Sequence, residues 1–190
     1  MSKVFSKVPS DHDSPKQESV DIDDIYDCLE RFLNASIPVK GGGKLEVVCG
    51  LSNRTVIPTP PFIMIQLIDE EQLAFNESRY TSTHKVVHDF NKVTLQIDFY
   101  GKDNIKAHKM AKSFLIRFND DWASDQFKTY QKPIFPLYAE GLRNNVFINS
   151  ESQYEDRYVV TAYLEYHPEF GMCQESATEI IMSVRLADTK

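Results

Sequence analysis

The chain has 190 residues and a formal charge of −7, from 21 Lys plus Arg against 28 Asp plus Glu. With 42% apolar and 26% charged residues it has ordinary globular usage, which excludes wholesale disorder and fibrous repeats. The acidic balance argues against gripping DNA or RNA phosphates, because such binding depends on basic residues displacing counterions.

Residues 1–19 are polar and almost free of apolar side chains after Val8, so they are expected to be disordered or ordered only against a partner. They lack the apolar run of a secretory signal, and no stretch approaches the roughly 18 apolar residues of a membrane span. Cys28, Cys49 and Cys173 are odd in number and without CxxC spacing, which favours a reducing compartment over a disulfide framework or a zinc site.

A first helix is expected from Asp21, a capping residue, with Asp23 and Asp24 favourable in its first turn. Ile22, Ile25, Leu29, Phe32 and Leu33 recur at helical spacing and make one apolar face, with Cys28 packed at its edge. Pro38 and Gly41–Gly43 end that helix. Gly41-Gly-Gly-Lys44 is not a phosphate loop: Pro38 stands where the first glycine is needed and Leu45 where Ser or Thr is needed.

Leu45–Cys49 reads as a short strand and Phe62–Ile68 as a central strand covered on both faces. From Asp69 to Thr83 the chain is polar, as a long loop or an extended hairpin would be. Asp69, Glu70 and Glu71 have no basic neighbour in sequence until Arg79; they are either a solvated loop or a surface that repels something negative. His84 and His88 read as a solvated pair, not a metal site, since no HExxH surrounds them. Val93, Leu95, Ile97 and Phe99 alternate with polar residues, as in a half-buried strand.

Gly101 closes that strand and Asp103 is placed to cap a second helix, with Ala107, Ala111, Phe114, Leu115 and Phe118 buried and His108 at the surface. Asn119-Asp-Asp121 breaks it and re-caps a short helix with Trp122 and Phe127. After Pro133 and Pro136 an irregular segment is expected to Asn149. Tyr154–Tyr166 alternates again, with Tyr158, Val160, Ala162 and Leu164 on one face, and Thr178–Leu186 reads as a last strand. This order implies one α+β domain over 20–190, its mainly antiparallel sheet carrying helices packed on one side.

No constellation of catalysis appears. An acidic residue two positions before a Lys, common in metal-dependent nucleases, occurs only at Asp188, and there is no GxSxG elbow. The chain is expected to need no cofactor and no metal, and to be no enzyme.

In the second half, Gln96-Ile-Asp-Phe-Tyr-Gly101 is followed by an Ala-containing helix, Pro136-Leu-Tyr-Ala139, Arg143-Asn-Asn-Val-Phe-Ile148 and Gln153-Tyr-Glu-Asp-Arg-Tyr158. This series resembles the phage tail-terminator (neck terminator) proteins from about residue 20 to 187, most specifically at 96–101 and 153–158. The resemblance implies a virion structural protein of the tail and neck, assembled in the host cytoplasm. It also implies a six-membered ring that caps the tail tube, ends its polymerisation and joins it to the head-side connector or stopper protein. DNA would pass through the lumen without specific binding, and no membrane would be involved. Other readings are another head–tail joining component (a stopper or adaptor) and an uncharacterised enzyme.

A closed ring needs two different surfaces per subunit. Tyr100, Tyr138, Arg143, Tyr154 and Arg157 are candidates for them, with Tyr163 beside these, because aromatics and Arg are enriched at interfaces. Each tyrosine taken alone reads more readily as a core residue than as an interface anchor. Arg157 can pair with Glu155 on its own strand or with a carboxylate of the next subunit. Asp69, Glu70 and Glu71 are candidates to line the lumen.

Overall fold

A computed structural model describes residues 19–39, 43–50, 57–81, 84–102, 105–145, 147–148 and 154–173. Helix α1 (Ile22–Ser36) begins where the acidic cap predicts: Asp21 accepts from the Asp24 amide at 3.0 Å and the Asp24 carboxylate accepts from the Asp21 amide at 3.2 Å. Ile25, Leu29, Phe32 and Leu33 are fully buried, as the spacing requires, and so is Cys28. Ile22 is only half-buried. Val20 is 1% exposed and Ser19 bonds Glu169 in both directions, so the fold starts at the very end of the polar tail. Residues 1–18 and the expected strand Thr178–Leu186 lie outside the described residues.

Strands β1 (Glu46–Cys49), β2 (Phe62–Gln72), β5 (Asn91–Tyr100), β6 (Ile134–Asn144) and β9 (Arg157–Tyr166) form one sheet in the order β1-β2-β5-β9-β6. Only the β1–β2 pair is parallel; the others are antiparallel. A second sheet pairs β3 (Glu77–Tyr80) with β4 (His84–His88) and β4 with β10 (Glu169–Cys173). Strands β7 (Phe147–Ile148) and β8 (Tyr154–Glu155) make a two-stranded ribbon.

The register explains the core. Ile63 lies opposite Phe99, Ile65 opposite Ile97, and Ile97 opposite Val160, so alternation turns all of these to one face. Helices α1, α2 (Ala107–Phe118) and α3 (Asp121–Thr129) cover that face. Their shared centre is Phe32, whose ring lies 5.3–5.9 Å from those of Phe114, Phe118, Trp122 and Phe127. Edge-on and tilted geometry lets one aromatic join three helices. In α2, Met110 takes a buried place and Leu115 is only partly covered.

Four expectations need correction. The segment after Pro133 is not irregular to Asn149: residues 134–144 form β6. Pro136 is tolerated because β6 is an edge strand, where a missing N–H costs no ladder bond on the outer side, and the register shifts beside it. Asp69, Glu70 and Glu71 are not a loop but the outer half of β2. His84 is not solvated; it is 6% exposed, and His88 faces Glu169 with Nδ1 3.3 Å from Oε1. Asp98, expected on a solvent face, is 1% exposed.

Candidate assembly surface

The two segments most specific in the sequence, 96–101 and 153–158, lie against each other. Tyr100 stands opposite Arg157 in the β5–β9 ladder. The Arg157 guanidinium donates to Asp98 Oδ2 at 2.8 Å and lies 5.5 Å from the centre of the Tyr100 ring. Gln96 adds its amide to both Asp98 oxygens, at 3.1 and 3.2 Å. Tyr100 in turn stacks on Phe62 with centroids 4.3 Å apart. Burial raises the Tyr100 hydroxyl above the ordinary tyrosine pKa, and the nearby Arg157 offsets part of that rise.

A carboxylate with 1% exposure would be costly unless paired and hydrogen-bonded. Here Arg157 and Gln96 supply that pairing. The partner is 59 residues away, so no local spacing pointed to it.

Asp156, between β8 and β9, does a second job. Its backbone carbonyl accepts from Gly101 at 2.8 Å, and its side chain accepts from the Ala107 amide at 2.9 Å. Helix α2 therefore starts at a Lys106 N-cap without a side-chain cap of its own and is capped from the distant β8–β9 junction. Asp103, the expected cap, lies outside the described residues. A Cβ on Gly101 would come within 2.3 Å of the Ala107 nitrogen and 2.4 Å of Asp156 Oδ2, so only glycine fits.

Away from the helices, the other face of the large sheet is polar and aromatic. Gln66 lies opposite Gln96, Gln96 opposite Thr161, and Thr161 opposite Glu140; Thr94 lies opposite Tyr163, which faces Tyr138. Tyr138 and Tyr163 stack at 4.5 Å, and the Tyr163 hydroxyl donates to Glu140 Oε1 at 3.1 Å. That acceptor raises the Tyr163 pKa. Arg143, on the same edge strand, is exposed, and its Nε donates to the Gly141 carbonyl at 3.4 Å.

The acidic run on β2 is partly answered by residues distant in sequence. Glu71 lies opposite Lys92, with a 2.6 Å ion pair, and Glu70 accepts from the Tyr166 hydroxyl. Burial first, and then the Glu70 carboxylate, hold that hydroxyl protonated well above the usual range. Asp69 lies opposite Thr94 and is exposed.

The candidates thus separate. Tyr100 and Arg157 belong to an internal junction, Tyr138 and Arg143 are exposed on β6, and the Tyr154 side chain lies outside the described residues. Asp98 and Asp156 were missed as organisers, although both stand inside the segments that carried the resemblance. No cluster of His, Cys, Asp and Glu able to hold a metal occurs among the described residues, and none of their helices is long and apolar enough to cross a membrane.

No curated protein matches the chain. Among solved structures it is similar to the sheath/tube terminator of PVC, an extracellular contractile injection system, in its extended state. The identity is 13% and the TM-score 0.48, over 90% of this chain and 64% of that one, so the chain spans less than two thirds of that protein. The family model described as phage neck terminator protein matches residues 23–189. With nearly the whole fold inside that match, this chain belongs to the phage neck terminator family.

Proposed function

We propose that the protein forms a ring, six-membered by analogy with its family, that caps the tail tube, ends its growth and joins it to the head-side connector or stopper. The observation that carries this reading is the family match over 23–189, together with a sheet whose two flanks differ. One flank is the short β1 and the other the long, bulged β6, and a cyclic ring requires such unlike surfaces on each subunit. Residues 20–190 serve as one unit in this reading, and 1–19 as a tail that orders against a partner.

Six copies at −7 would carry 6 × (−7) = −42 formal charges. Where these line a channel they repel DNA phosphates and keep transit free of adhesion. Asp69 fits that lining better than Glu71, whose charge Lys92 answers, or Glu70, which accepts from the Tyr166 hydroxyl. Tyr138 and Arg143 on the exposed side of β6 fit a contact with a neighbour.

The test is mass and capping together. Purified protein is expected to show the mass of about six subunits by light scattering, and to bind the ends of purified tail tubes in negative-stain images. A single-subunit mass at high concentration, with bare tube ends, would refute the reading. A ring that leaves tube ends bare would favour an adaptor or stopper.

A further inference from the structure

Helix α2 is a basic element in an acidic chain. From Lys102 to Phe118 the sequence carries Lys102, Lys106, Lys109, Lys112 and Arg117 against Asp103 alone. Burial divides the helix into two faces. Ala107, Met110, Ala111, Phe114 and Phe118 lie in the core, whereas Lys109, Lys112 and Ile116 are exposed at i, i+3 and i+7 and form one solvent stripe. Ile116, at the end of the stripe, is 58% exposed. Among the described residues no carboxylate forms an ion pair with Lys109 or Lys112.

The complement of this stripe lies on α1. Asp23, Asp27 and Glu30 are exposed at i, i+4 and i+7, again one solvent stripe, and no base among the described residues pairs with any of them. Asp24, which Lys132 does answer, points to another side of the helix. Each stripe spans seven residues, about 10 Å along its helix axis, so the two match in length as well as in charge.

The stripes belong to different parts of the molecule. Cys49, at the end of edge strand β1, has its thiol pushed up by burial first and then by the Asp23, Glu30 and Asp27 carboxylates, so the acidic stripe stands beside the β1 flank. Helix α2 packs over β5, β9 and β6, and Asn119 at its end bonds both the amide and the carbonyl of Ala139 in β6, the opposite edge strand. Within one copy the two helices touch elsewhere, through the Phe32–Phe114 ring contact and through the Ser113 hydroxyl, which donates to the Ser36 carbonyl at 2.9 Å.

Unlike faces on one subunit are what a head-to-tail contact requires. DNA is a poorer occupant of the basic stripe, because an exposed isoleucine gains nothing from phosphates and the chain's charge of −7 opposes the approach of a polyanion. Exposed ion pairs are individually weak, but a run of them fixes register and speeds encounter, while Ile116 supplies apolar contact.

We infer that the Lys109–Lys112–Ile116 face of α2 in one copy docks on the Asp23–Asp27–Glu30 face of α1 in the next. The inference rests on the ring reading above and names two surfaces that would build the ring.

Charge reversal tests it. Lys109→Glu with Lys112→Glu makes both stripes acidic, and Asp27→Lys with Glu30→Lys makes both basic; all four positions are exposed. Each double variant is expected to keep the wild-type thermal midpoint but fall to a single-subunit mass by light scattering, with association weakened about a hundredfold or more, because like charges then face each other. Mixed in equal amounts, the two variants are expected to reassemble, alternating around the ring, and one chain carrying all four changes is expected to assemble alone. If wild type assembles and either double variant assembles equally well, the contact is elsewhere; this inference falls and the ring survives. If both double variants come apart but neither the mixture nor the fourfold variant reassembles, the two faces do not meet each other and the inference also falls. If the α2 reversal leaves assembly intact but abolishes binding of a labelled DNA duplex, the stripe serves nucleic acid instead. If wild type stays monomeric at high concentration, the ring reading falls and this contact with it.

Discussion

Asp98 shows how one buried charge organises a surface. Its carboxylate is 1% exposed and answered by Arg157 at 2.8 Å, while Arg157 also covers Tyr100. Removing the cation leaves an uncompensated buried anion, so Arg157→Ala is expected to cost about 3–5 kcal/mol, measurable by urea unfolding. Replacing both partners by a well-packed apolar pair should restore most of that loss, because the desolvated charge is then gone as well. Cys28 is the opposite kind of residue. Burial pushes its thiol up to about 11 from the ordinary 9.0, which leaves very little thiolate at neutral pH. At pH 8 in native protein its alkylation is expected to be about a hundredfold slower than that of an unperturbed thiol, read by mass spectrometry of the Cys28 peptide. Equal labelling in the native and denatured states would contradict the packed position on α1.

At the scale of elements, α2 has a borrowed start. Its first amide is satisfied by Asp156, 49 residues later, and not by a residue beside it. Asp156→Ala should therefore behave as a lost helix cap and cost about 1 kcal/mol, within a range of about 0.5–2. The loss should appear both in denaturant midpoint and as faster amide exchange in the first turn of α2. If exchange speeds up only in β9, the carboxylate is not acting as the cap. The same contact explains why Gly101 closes β5, since any Cβ there would collide with the Ala107 nitrogen and with the capping carboxylate. Strand β6 teaches a different lesson: a Pro-bearing segment looks like a loop until its place at the sheet edge is known.

For the whole molecule, the governing feature is asymmetry. The helices cover one face of the large sheet, the opposite face carries Gln, Thr and Tyr side chains, and the two flanks differ in length and regularity. In the ring reading, Asp69→Lys would invert charge at an exposed position of β2 while leaving the core untouched. This variant is expected to assemble with normal stability but to slow or trap DNA in ejection assays on complete particles. Normal ejection would remove Asp69 from the lumen while leaving assembly as a separate question.

Helix α1, its acidic cap, the alternating core of β5 and β9 and the break between α2 and α3 were all legible in the amino-acid order. Each depends on interactions within a few residues, or on a periodicity that burial enforces locally. The family resemblance was legible as well, through segments 96–101 and 153–158. Tertiary structure alone decided why those segments matter: Asp98 with Arg157, and Asp156 with Ala107, meet across 59 and 49 residues. It likewise decided that Glu71 has Lys92 for a partner. Pairings of that kind follow from strand order and register, which bring distant residues together in space and leave no trace in local spacing.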